Sequence, residues 1–370
     1  MTKYRILVAS YTPNITTLEF DSDAGKLKAI AQSPAGTNPS WIAIHPSDKS
    51  LVLATNEVTD GKVHLFKIKD DGALKLLESV GSAGEDPAHL AVLEDEVVVG
   101  NYSSGTILAI TFSKTAPHFL STKPPIQLSG SGPNTARQSS SHPHQIFPIS
   151  STEILVPDLG ADRIVRLAKN KEGEWNEIGD VKAGAGEGPR HVQLHDGILY
   201  VVDELTNKLV AHKFPPSSES SVIASLSTLP EPAPPASAPS DIGSEGPSSE
   251  SKSEPLPLLA AELLLTDTPS TLLFVTNRNE THPEGDSISV FSPLNNGNGK
   301  EGFEMIASTR TGLRHVRGAA FGGAGDKYLI VGGADKGGAK IYERSGTKGH
   351  ILTEVASMPG VVAPTGFLWV

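Results

Sequence analysis

A chain of 370 residues, 38% hydrophobic, is long enough to bury a large core, and its 36 glycines and 28 prolines favour many turns over long helices. The formal net charge of −11 argues against nucleic acid or an anionic membrane as partner, and the absence of cysteine excludes disulfides, thiolate zinc sites and a thiol nucleophile. The opening MTKYRILVAS holds an apolar run too short for a signal peptide, and no later run reaches the roughly 20 residues of a membrane helix, so a cytoplasmic protein is expected.

Arg5 to Ser10 and Thr16 to Phe20 read as the first two strands. NPSWIAIHPSDKSLVLATNE, from Asn38, then gives a strand, a turn at His45-Pro46-Ser47-Asp48, a second strand and a polar end at Asn56-Glu57. The same grammar returns from Asp86 (ending at Asn101-Tyr102), from His142 (ending at Pro157-Asp158) and in GPRHVQLHDGILYVVDEL from Gly188. In that last unit His195-Asp196-Gly197 is a hairpin signal, so Arg190 and Glu204 come together at one rim. Further copies start at Leu259 and Val316. Second-strand ends recur at steps of about 45 to 75 residues, which brackets the blade length of propeller repeats.

Six internal units with unpaired strands at both termini predict a closed ring, with Gly366 to Val370 and Arg5 to Phe20 sharing a seventh blade and leaving no exposed sheet edge. The expected fold is all-β: one domain over residues 1–370, a seven-bladed β-propeller of four-stranded antiparallel blades. The one oversized step contains a Pro/Ser/Glu-rich insertion at about 230–256, which lacks the apolar residues to offset ordering entropy and is expected to be a disordered loop between blades, preceded by an outer strand at Ser221 to Leu229.

NPSWIAIHP, HPHQIFPISSTEILVPDLGADRI, GEGPRHVQLHDGILYVVDEL and LLFVTNRNETHPEGDSISVF together resemble the seven-bladed propeller lactonase family, which groups bacterial-type 6-phosphogluconolactonases with fungal 3-carboxy-cis,cis-muconate lactonizing enzymes. The run GSGPNTARQSSSHPHQ is more similar to the fungal branch. The resemblance implies active-site roles for His144 (second histidine of HPH), Arg190 (GPRH), Glu204 (DEL) and Arg278 (NR). The last blade departs from the family, since VGGADKGG lacks the usual Asn.

The residues themselves place these four on one rim: His144 and Arg190 stand before first strands, Glu204 and Arg278 after second strands. Two guanidiniums at one mouth bind a carboxylate or phosphate and stabilise an oxyanion, while histidine and glutamate supply proton transfer. No GxSxG elbow is present. No cofactor is expected, and no metal: a calcium site using Glu204 and the recurrent asparagines is the rival reading, but two arginines beside a divalent cation repel it. The substrate is expected to be a small anionic lactone or muconate. Three classes of function remain: hydrolysis of a phosphorylated sugar lactone, cyclisation of a carboxymuconate, and a non-catalytic scaffold, for which the charged tetrad has no use.

Other features read as structural. His45, His191 and His195 lie in turn or strand positions, and Asn56, Asn101, Asp158 and Asp203 recur at second-strand ends, as a repeated hydrogen-bonding role requires. Gly184 to Gly188 is followed by neither a Lys-Ser/Thr pair nor a helix, so it is a weak phosphate cradle.

Overall fold

The structure, a computed structural model, describes residues 2–216, 221–230, 256–295 and 301–370. Most of the insertion expected at 230–256 lies outside the described residues; the outer strand foreseen before it is present as Val222–Ser227.

Seven antiparallel sheets follow one another around a ring. Blades 2 to 7 have their inner strands at Ile42–Ile44, Pro87–Val92, Phe147–Pro148, Pro189–His195, Leu259–Thr266 and Arg314–Gly322. Blade 1 takes its inner strand, Pro364–Trp369, from the C-terminus and the next, Lys3–Ser10, from the N-terminus. Ile6 pairs with Trp369, Leu7 with Leu368 and Val8 with Phe367, so the ring closes by main-chain hydrogen bonds.

Second strands are continuous apolar runs because both of their faces are buried. In Leu51–Asn56, Leu51 and Leu53 pack toward blade 3 while Val52 and Ala54 pack toward blade 1. In Ile198–Asp203, Leu199 and Val201 face blade 4 while Tyr200 and Val202 face blade 6. The period-2 alternation of a strand thus feeds two neighbouring layers at once, and the hydrophobic core is a ring of seven inter-blade layers rather than one centre.

In blade 7 the register that holds Asn101 in blade 3 falls on Gly333, where a Cβ would lie 2.3 Å from the Lys336 carbonyl oxygen and 2.9 Å from that of Arg314. A Cβ on Gly322 would lie 2.0 Å from the indole of Trp369, and one on Gly332 would lie 2.7 Å from the Phe367 ring. This blade is stripped of side chains so that the closing strand can pack against it. The hairpin in blade 5 turns as foreseen, with Asp196 and Gly197 both at positive φ (48° and 74°) and His195 paired with Ile198.

A repeated entry motif sets the rim. In five blades the residue before the inner segment has positive φ: Asn38, Asp86, Gly188, His315 and Ala363; all but His315 precede a proline. In four blades the carbonyl of this residue accepts an N–H from the residue just past the second strand: Glu57 to Asn38 (2.9 Å), Tyr102 to Asp86 (2.9 Å), Glu204 to Gly188 (2.9 Å) and Tyr11 to Ala363 (3.0 Å). Two residues beyond the positive-φ position the pairing register then skips, leaving Ala88, Arg190, Arg317 and Thr365 as bulged residues. A bulge re-aims its side chain, here toward the mouth of the central channel.

Gly188 carries this motif for Arg190. Its φ is +65°, and a Cβ there would approach Leu205 Cγ to 2.6 Å. We expect Gly188→Ala to lower stability by about 2 kcal/mol or more and to cut activity at least tenfold by misplacing Arg190. A melting curve and kcat/KM matching the wild type would contradict this account of the rim.

Candidate functional site

Two rings of residues meet at the mouth. One comprises the residues just past the second strands: Tyr11, Glu57, Tyr102, Glu204 and, in the same register, Arg278, which closes Leu272–Arg278. The other comprises the residues that follow Pro143, Pro189 and Val316, which share one register: His144, Arg190 and Arg317.

The centre is Glu204, only 2% exposed. Its Oε2 lies 3.0 Å from Arg190 Nε and 2.7 Å from Arg278 Nη2, and its Oε1 accepts from Arg137 Nη2 at 2.5 Å. Arg190 also donates to the Ala261 carbonyl (2.5 Å) and Arg278 to the Ala260 carbonyl (2.8 Å), so the inner strand of blade 6 orients both guanidiniums. Burial alone would raise the Glu204 pKa; Arg278, Arg137 and Arg190 overturn this and hold it well below the usual carboxylate range. Burial and the facing Arg278 push Arg190 down to about 9, still charged at neutral pH.

His144, 6% exposed, packs its ring 5.2 Å from that of His191 and 5.8 Å from that of Tyr102. Burial, then Arg190, His191, Arg317 and Arg278, push its pKa well below the ordinary imidazole value, so it is neutral. The structure therefore brings Arg190, Glu204 and Arg278 into direct contact and sets His144 within the field of the same arginines. Glu204, expected from the sequence as a proton-transfer group, is paired with three guanidiniums that favour its ionised form.

Sequence reasoning missed four participants. Arg137 reaches the mouth from the loop before blade 4, where no periodicity marks it. Arg317 was legible: Val316-Arg317-Gly318 stands in the register of Pro189-Arg190-His191. Its guanidinium lies over the Tyr11 ring (5.2 Å), and its nearest carboxylate among the described residues is Glu57 at 3.9 Å. His191, read as structural, is joined at Nδ1 to Glu262 Oε1 at 2.6 Å, beside His144.

The remaining features behave as structure. His45 Nδ1 accepts from the N–H groups of Ser47 and Asp48, and its Nε2 lies 3.0 Å from the Glu94 carbonyl. His195 sits at the far end of its strand between Asp196 (3.2 Å) and Asp267 (3.4 Å). Asn101 and Asn277 donate to the carbonyls of Ser82 and Thr228, and Asp158 accepts from Ser141 and His142. Asp203, in the same register, has no hydrogen-bond partner among the described residues, and burial pushes its carboxyl well above the usual carboxylate range. The glycine run offers no phosphate cradle, because Gly186 and Gly188 donate to Asp162 and Gly184 to Glu187. A cavity of about 620 Å³ between blades 5 and 6, lined by His195, Tyr200 and Phe214, opens away from the charged cluster.

A family model described as "Lactonase, 7-bladed beta-propeller" matches residues 5–369. A protein of Arthroderma benhamiae named "Probable 6-phosphogluconolactonase" is 24% identical over 98% of this chain and 88% of its own length. The 6-phosphogluconolactonase of Bacillus subtilis is 27% identical over 62% of this chain and 68% of its own. Among solved structures, the periplasmic gluconolactonase of Pseudomonas aeruginosa superposes with a TM-score of 0.80 at 18% identity, covering 100% of this chain and 99% of the other. A protein from Lactobacillus plantarum gives 0.80 at 20% identity, with complete coverage of both chains. The match to nearly the whole chain shows the family: this chain belongs to the seven-bladed β-propeller lactonases.

Proposed function

We propose that the chain hydrolyses an anionic sugar lactone of the 6-phosphogluconolactone type by metal-free acid–base chemistry. The observation that carries this reading is the cluster itself: four guanidiniums and a neutral imidazole gathered around one ionised carboxylate at the channel mouth. The names of the relatives support the substrate class. Ester opening needs a group to bind the anion, a donor for the developing oxyanion and a base for water.

Arg190 and Arg278 form ion pairs with Glu204 and donate hydrogen bonds to carbonyls of blade 6, which fixes them as donors toward the lactone carbonyl oxygen. Arg317, which makes no hydrogen bond to a carboxylate among the described residues, binds the substrate's phosphate or carboxylate. His144 takes a proton from water as the water oxygen bonds to the carbonyl carbon. When the ring C–O bond breaks, the imidazolium returns that proton to the departing alkoxide. Glu204 is the counter-ion that lets buried arginines converge. Both of its oxygens are occupied by guanidinium, and no three His, Asp or Glu side chains among the described residues converge as metal ligands, which supports the metal-free reading.

Three outcomes test this. Assayed for hydrolysis of 6-phosphogluconolactone beside cyclisation of 3-carboxymuconate, the protein is expected to hydrolyse the first and to keep its rate after exhaustive EDTA treatment. Its kcat/KM should hold level on acidification below the ordinary histidine value near 6.5, because a depressed pKa keeps the base neutral there. An acid limb above about 7, or loss of rate restored by a divalent cation, would overturn the chemistry.

Arg317→Ala should raise KM for the phosphorylated lactone about 10- to 100-fold, the worth of a charge-assisted hydrogen bond, and leave hydrolysis of unphosphorylated gluconolactone nearly unchanged. Equal losses on both substrates would place Arg317 in the chemistry rather than in anion binding.

Glu204→Gln leaves the buried arginines without their counter-charge, a cost of about 3–5 kcal/mol in stability. The depressed Glu204 pKa makes its stabilisation fully present above about 4.3, the unfolded glutamate value, and lost as pH falls toward the folded value. The stability gap between wild type and variant should therefore narrow below pH 4; a gap that stays constant under acid would refute the pairing.

A further inference from the structure

Beneath the rim, the next residue along each inner strand forms a second layer: Trp41, His89, Gln145, His191 and Glu262 stand in one register in blades 2 to 6. Neighbours in this layer bind one another across blades. Trp41 lies against His89 with ring centres 4.0 Å apart, His89 Nδ1 accepts the N–H of Ile146 (3.2 Å), and Gln145 accepts the N–H of Val192 (2.7 Å). His191 and Glu262 complete the series at 2.6 Å, 1% and 4% exposed.

This last pair differs from the others in one respect. The Glu262 carboxylate accepts the proton of His191 Nδ1, which leaves Nε2 with a lone pair, and that Nε2 is buried without a hydrogen-bond partner among the described residues. His144 Nδ1, on the ring 5.2 Å away at 62°, is likewise buried without a partner. Two orphan nitrogens on facing buried imidazoles carry a desolvation cost that one shared proton removes.

We infer that Glu262 and His191 are positioning residues that fix the tautomer of His144: the His144 Nδ1–H is donated to His191 Nε2, directly after a small ring rotation or across one water, so that His144 Nε2 faces the substrate as the proton acceptor. The inference rests on His144 being the base of the proposed hydrolysis. The order Glu262, His191, His144 gives the base a carboxylate two imidazoles away, which offsets the imidazolium formed when water is deprotonated. His191 is faced from every neighbouring element: by Glu262 from blade 6, Arg190 on its own strand, His89 from blade 3, His144 from blade 4 and Arg317 from blade 7, while His144 is faced by Arg190, His191, Arg317 and Arg278. Only Glu262 among them favours the protonated ring.

The test uses the intact enzyme. Glu262→Gln is expected to lower kcat about 10- to 100-fold with KM nearly unchanged, and to move the acid limb of kcat/KM to lower pH, since the one charge favouring the imidazolium is removed. Glu262→Asp should recover part of the rate, and His191→Phe, which keeps a ring but no nitrogen, should lose kcat as Glu262→Gln does. A purely structural pair would lower the melting temperature and depress the profile evenly without moving its limb, and that result would overturn the inference. A second measurement needs no turnover: in the ¹⁵N spectrum of histidine-labelled wild type, His144 and His191 should both carry their proton on Nδ1, with the His144 signals changing in Glu262→Gln. Protonation of His191 at Nε2, or His144 signals indifferent to position 262, would refute the relay even if the lactonase reading stands. If wild type hydrolyses no anionic lactone, that reading fails while the tautomer result still decides the relay.

Discussion

The hydrogen bond from the residue past each second strand to the carbonyl before the inner strand fixes the geometry of the mouth. It ties Glu204 to Gly188, Tyr102 to Asp86, Glu57 to Asn38 and Tyr11 to Ala363 within 3.0 Å. The accepting carbonyl belongs to a left-handed residue, the following proline fixes φ, and the bulge one step later turns a side chain into the channel. In four blades this local device sets two positions at the mouth, and the residues that occupy them are placed by main chain; Arg137 alone of the Glu204 partners comes from a connecting loop.

The electrostatics follow from what those positions hold. Four arginines near one another in low dielectric repel, and only buried carboxylates make the arrangement tenable. Glu204 meets three of the four, and Glu57 lies nearest the remaining one. The same positive field, together with burial, strips His144, His191 and His89 of their protons. A site built to attract anions thereby keeps its imidazoles as bases. The partners beside Glu204 favour its ionised form, which suits a counter-ion better than a general acid.

The structural positions next to the site show the converse. At second-strand ends, Asn101 and Asn277 satisfy a carbonyl of the preceding connection, whereas blade 7 has Gly333 there, where a Cβ would lie 2.3 Å from the Lys336 carbonyl oxygen and 2.9 Å from Leu313 Cβ. The closing strand takes the space beside it, pressing Phe367 and Pro364 on Gly332 and Thr365 on Gly318, while Arg317 reaches the mouth between them.

The sequence by itself determined the strands, the repeat, the seventh blade shared between the termini and the rim that holds His144, Arg190, Glu204 and Arg278. All of these depend on period-2 alternation, on Asp-Gly and Pro turn chemistry, and on positions counted within one blade, which are short-range properties of the chain. The tertiary structure alone decided which rim residues touch. Arg137 meets Glu204 across 67 residues of chain and His191 meets Glu262 across 71, contacts between blades that no local pattern encodes. It also decided protonation, because the charge of His144 and Glu204 depends on burial and on arginines brought from other blades. A residue type names a pKa range, but only its folded neighbours say which side of neutrality it falls on.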